Sequence, residues 1–106
     1  MYASVRTYRT DAAKMDELLR IADDTFVPRV ADMDGFCGYQ MIDGGDGRLI
    51  TISCFENMEQ AEASVEKAAE FVREDLADYD IERLDAVSGD VRVSVETEKV
   101  LQEAHV

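Results

Sequence analysis

The run Gly44-Gly45-Asp46-Gly47 constrains this chain more than any other stretch, because it stands between two segments that read as strands. Glycine reaches the positive φ that a tight hairpin demands, so residues 36–43 and 48–55 are expected to pair antiparallel. Upstream, residues 2–9 alternate and are rich in Tyr, Val and Thr, the pattern of a first strand. Thr10 and Asp11 offer cap oxygens. Met15, Leu18, Leu19, Ala22, Phe26, Val30 and Met33 then recur at helical spacing, and Gly35 closes the element. Pro28 lies inside that stripe, without an N–H and against the carbonyl of Asp24, so the helix is expected to bend or restart.

Beyond the hairpin, Asn57 is placed to cap a second helix with Gln60 at the capping-box position. Its apolar line of Met58, Ala61, Val65, Ala68, Val72, Leu76 and Tyr79 predicts about six turns. A loop with Ser88 and Gly89 then leads to a last strand expected at Val91, Val93 and Val95. The order is βαββαβ, a ferredoxin-like α+β fold with a four-stranded antiparallel sheet and two helices on one face. A chain of 106 residues accommodates one such domain, expected over residues 1–96, with a polar tail over 97–106.

Mirroring the hairpin about Gly45-Asp46 pairs Met41 with Ile50, Tyr39 with Ile52 and Cys37 with Cys54, and sends these side chains toward the helices. The reverse face then carries Phe36, Gln40, Ile42, Leu49, Thr51, Ser53 and Phe55, together with Tyr2, Ser4, Arg6 and Tyr8 from the first strand and Arg92, Ser94 and Glu96 from the last. Large apolar groups there are costly in water, at roughly 1.5–3 kcal/mol for each fully buried side chain. A second copy of the chain is therefore expected to cover them, giving a dimeric α+β barrel with a small pocket in each subunit.

Acidic residues number 24 against 11 basic ones, a formal charge of −13. That excess disfavours nucleic acid and anionic lipid, which require phosphate-neutralising charge. It suits either a salt-adapted chain, whose self-repulsion is screened at high ionic strength, or an ordinary acidic protein. No run approaches the roughly 20 apolar residues of a membrane span, and the first residues show no charged leader before an apolar stretch. A cytoplasmic protein is expected.

The run Val27-Pro28-Arg29 to Gly35-Phe36-Cys37-Gly38-Tyr39, then Gly45-Asp46-Gly47, then Phe55-Glu56-Asn57 with Ala61-Glu62-Ala63-Ser64, resembles the antibiotic biosynthesis monooxygenase-like superfamily over about residues 2–96. The resemblance implies a dimeric α+β barrel. It also implies a range of activities: cofactor-independent oxygenation of phenolic or quinol substrates, haem degradation, isomerisation, or an unassigned role. Characterised oxygenases of that family use pocket Asn and Trp. This chain has no Trp, and its Asn57 reads as a helix cap.

Candidate chemistry comes from the predicted pocket face. Arg6 and Arg92 either pair with Glu96 or Glu56 or capture an anionic or phenolate ligand. Tyr8 either donates to a substrate oxygen or caps the core. Gln40, Thr51, Ser53, Phe55 and Phe36 are candidate ligand-orienting groups, whereas Tyr39 is read as packing. Cys37 and Cys54, if directly opposed, have Cα atoms about 4.5–5.5 Å apart, within disulfide range; the alternative is two small buried thiols. His105, the one imidazole, lies in the expected tail. Neither a metal set nor a nucleotide-binding or serine-nucleophile motif is present, and no cofactor is expected. Two functions are open: a cofactor-independent monooxygenase-like enzyme acting on a small phenol or quinol, with Arg6 and Tyr8 as catalytic groups, or a non-catalytic dimer that binds a small aromatic or anionic molecule or serves only as an accessory module.

Overall fold

The computed structural model describes residues 1–95. The tail at 97–106, with Glu96 and His105, lies outside the described residues. Four strands form one antiparallel sheet: β1 (Tyr2–Arg9), β2 (Phe36–Gly45), β3 (Arg48–Phe55) and β4 (Glu82–Asp90), in the order β2-β3-β1-β4. Helices α1 (Met15–Ile21), α2 (Val27–Ala31) and α3 (Met58–Asp75) supply the other layer. The ferredoxin-like expectation is met, with two corrections in the second half. Helix α3 is 18 residues, about five turns, and a short 3₁₀ turn at Ala77–Tyr79 takes over at its end. The last strand is Glu82–Asp90, not residues 91–95. Its residues are all exposed along an edge, so no buried face imprints alternation on its sequence, and backbone pairing with β1 selects it instead.

The connections are made as local chemistry directs. Asp11 accepts a hydrogen bond from the Ala13 N–H at 2.9 Å, and Asn57 from the Gln60 N–H at 3.0 Å. The reciprocal half of the capping box is missing, because the Gln60 carbonyl oxygen is buried without a partner. At the hairpin tip Asp46 and Gly47 both have positive φ, 54° and 78°, as a type I′ turn requires. Gly47 is also obligatory sterically, since a Cβ there would collide with the Thr10 carbonyl.

Pro28 acts as predicted, through a mechanism the sequence does not reveal. The turn before it widens into a π-helix at Ala22–Phe26, with the Val27 N–H reaching back to the Ala22 carbonyl. A widened turn removes the clash that a regular α-helix would impose on the ring and lets α2 start with proline in its first turn.

The hairpin register differs from the mirrored prediction. Met41 pairs with Thr51, Tyr39 with Ser53, Gln40 with Ile52 and Phe36 with Phe55. Irregularities between Phe36 and Gly38 and between Asp43 and Gly45 leave Cys37 and Gly44 as extra residues on β2. Each extra residue reverses the parity of the strand beyond it. Leu49, Thr51, Ser53 and Phe55 consequently face the helices, as do Ser4 and Arg6 on β1. They are covered by the chain's own helices, not by a second subunit. The core behind them gathers Met15, Leu18, Ala22, Phe26 and Val30 from the first helical segment and Ala61, Ala68, Phe71 and Leu76 from the second. Phe26 bridges the layers, its ring 5.2 Å from Phe71 and 5.6 Å from Tyr39.

Candidate functional site

Between sheet and helices the core leaves a cavity of about 40 Å³, room for a water molecule or two. Most of its wall is apolar, from Leu18, Phe26, Met41, Leu49, Phe71 and Leu76. The polar part comes from the sheet: Tyr8 on β1, Tyr39 on β2 and Thr51 on β3. Behind Thr51 lies Arg6, 2% exposed, whose Nε donates to Thr51 Oγ1 at 3.1 Å. Its Nη1 is buried and has no hydrogen-bond partner, and the neighbouring buried Ser53 hydroxyl has none either. No carboxylate pairs with Arg6 among the described residues, where Arg29–Asp75 is the ion pair formed. A guanidinium held this way is an uncompensated charge in a low-dielectric core, and an arriving anion gains what the fold lacks.

Tyr39 feels this environment directly. Burial pushes its phenol up to about 12, against partial opposition from the Arg6 charge; Tyr8 raises it further, and a hydrogen bond from Thr51 lowers it. At neutral pH Tyr39 is therefore a phenol, a hydrogen-bond donor and not a base. Arg6, Thr51 and Tyr39 form one polar line across β1, β3 and β2, in which Thr51 and Tyr39 line an otherwise greasy cavity and Arg6 stands behind Thr51. Such a line suits holding a ligand oxygen in its anionic or strongly hydrogen-bonded form.

The predicted site residues divide. Tyr8 and Thr51 line the cavity, and Arg6 backs it. Ser53 and Phe55 are fully buried on the same face, with Phe55 stacked edge-on against Phe36 at 5.8 Å. Gln40 is exposed and belongs to the opposite face, in register with Ile52. Arg92 is exposed beyond the end of β4, so it joins neither face of the sheet. Tyr39, read as packing, is a polar member of the site. Its helix-facing position was legible; its neighbourhood with Arg6 was not, because that depends on the parity of β1. Gly38, not Cys37, stands opposite Cys54, and the disulfide does not form; Cys37 is exposed with its thiol toward the Gly35 carbonyl at 3.4 Å.

Among the described residues no cluster of His, Cys, Asp and Glu could hold a metal ion, and no helix is long and apolar enough to cross a membrane. The cavity does not fit a haem: about 40 Å³ is far too small, and its wall carries no imidazole.

No protein-family model matches the chain, and no curated protein matches it. Solved structures do. A dimeric ferredoxin-like protein from an uncultured marine organism superposes with a TM-score of 0.72 at 13% identity, covering 91% of this chain and 98% of that one. A monooxygenase from the gene ActVA-Orf6 of Streptomyces coelicolor, in complex with nanaomycin D, gives 0.68 at 16% identity and 92% coverage of each chain. The haem degrader MhuD from Mycobacterium tuberculosis, with two haems bound, gives 0.69 at 17% identity, covering 91% of this chain and all of that one. This chain has the ferredoxin-like α+β fold of the antibiotic biosynthesis monooxygenase-like proteins.

Proposed function

We propose that the protein is a cofactor-independent, monooxygenase-like enzyme acting on a small phenolic or quinol-type molecule held beside Tyr8, Tyr39 and Thr51. The observation that carries this reading is the buried Arg6 guanidinium with an unpartnered Nη1 behind the cavity wall. Its charge stabilises a phenolate and so enriches the ring in electrons toward O₂. With a quinol, the substrate supplies both electrons and both protons. One oxygen atom enters the ring as a hydroxyl, the other leaves as water, and the organic product is a hydroxyquinone. Tyr39, neutral up to about pH 12, donates to the ligand oxygen. The fold likeness to a monooxygenase supports the reaction class.

Oxygen uptake with a panel of quinols tests it. Wild type is expected to consume O₂, Arg6→Gln at least about tenfold less, and Arg6→Lys to recover part of the loss by restoring the charge. The second reading is a non-catalytic dimer. Quinol binding without uptake would select a binder, and because about 40 Å³ admits a ring only if the walls move, absence of quinol binding would select an accessory role.

The same proposal includes a homodimer, through the sheet face opposite the helices. There Ile52, Val5 and Val87 form one cross-strand row, with Ile42 and Ile50 in the next. Val87 is 61% exposed, Ile42 41% and Val5 38% in the single chain. A self-complementary apolar sheet face is the surface that a twofold pairing buries.

A further inference from the structure

Beside the inner cavity, the same three residues Tyr8, Val72 and Ile81 also line a larger groove of about 280 Å³, whose remaining walls are Val65, Ala69, Arg73 and Arg83. The shared residues place the groove directly beside the cavity. Its floor is aliphatic and its rim carries two guanidinium groups, in a chain of net charge −13. Neither arginine has an ion-pair partner among the described residues.

The placement of Arg83 depends on a break in the sheet. Thr7 pairs with Asp85, so an unbroken ladder would set Leu84 opposite Tyr8; the irregularity between Thr7 and Tyr8 sets Arg83 there instead. A bulge re-aims side chains, and this one brings a cation to the groove while leaving Leu84 39% exposed.

We infer that this groove reads a carboxylate arm on the ligand, with Arg73 and Arg83 holding the arm while the ring passes between Tyr8, Val72 and Ile81 toward Arg6. The substrate class narrows accordingly to hydroxyaromatic carboxylates. The inference rests on the proposed cavity reading for the ring, and on the groove alone for the arm.

The test compares 2,5-dihydroxyphenylacetate with its methyl ester by titration calorimetry at one fixed salt concentration. In wild type the acid is expected to bind about tenfold more tightly than the ester, the worth of a charge-assisted hydrogen bond. In the double variant R73Q/R83Q the preference should vanish while ester affinity stays unchanged; both positions are exposed, so folding is not at issue. Equal binding of acid and ester to wild type, survival of the preference in the double variant, or no binding of the acid to wild type would each overturn the inference. Acid binding that requires Arg73 and Arg83 but is indifferent to Arg6→Gln would uphold the groove and sink the cavity reading instead.

Discussion

The two faces of the sheet reverse the usual arrangement. The face covered by helices buries Ser4, Arg6, Thr51 and Ser53 beside its Leu and Phe residues, whereas the face without helices presents Val5, Ile42, Ile50, Ile52 and Val87. In a sheet with one solvated face, polar residues belong outside and apolar ones inside. Buried hydroxyls and a guanidinium cost stability unless something is gained by them, and exposed aliphatics do the same unless something covers them. On the proposed function, the inner face is organised around a ligand and the outer face around a second subunit.

The largest effect should come where the inner face is ordinary core. Phe55→Ala removes a fully buried ring and is expected to cost about 3–5 kcal/mol in urea unfolding, whereas Ile42→Ala on the outer face should cost well under half of that in the separated subunit. Equal losses would erase the distinction between the faces. Next, Val5→Asp puts a charge in the middle of the outer face; dimer dissociation measured by sedimentation should rise at least about a hundredfold while the circular dichroism of the subunit is retained. A wild-type monomer at all concentrations would remove the outer face's purpose.

On the inner face, Arg6→Met should have the opposite sign to Phe55→Ala. Exchanging an unpaired buried charge for an apolar side chain is expected to stabilise by about 1–4 kcal/mol and to abolish quinol binding. A destabilised variant would mean that Arg6 is structural. The smallest effect concerns Tyr39, whose pKa of about 12 lies above the ordinary 10.0. The folded state holds this proton more tightly, so the stabilisation is complete below pH 10 and is lost as pH rises from 10 to 12. Ultraviolet titration should show delayed phenol ionisation, to which Tyr79 also contributes through its hydrogen bond to Glu17, and Tyr39→Phe should remove the Tyr39 part together with part of the alkaline loss of stability.

Element types were legible because periodicity, caps and glycines act over a few residues. Asn57 capping α3, Asp46-Gly47 turning the hairpin and Pro28 disturbing the first helical segment are all local facts. The site was only half legible. Arg6, Tyr8 and Thr51 were singled out by residue type, yet the face they occupy hinged on Cys37 and Gly44, two extra residues that leave no mark in a single sequence. With β1 and β3 turned over, Tyr39 came to stand beside the Arg6 charge and Gln40 was left on the other face, whereas Arg92 fell outside the sheet because β4 ends at Asp90.

The amino-acid sequence alone determined the βαββαβ order, the hairpin tip and the acidic surface, because each is set by short-range sterics or by summed charge. Only the tertiary structure decided which side of the sheet the helices cover, where the last strand lies and which arginine reaches the groove. The last strand is fixed by backbone pairing along an exposed edge; the other two outcomes turn on single-residue bulges, because a strand's side chains alternate so strictly that one added residue exchanges inside for outside.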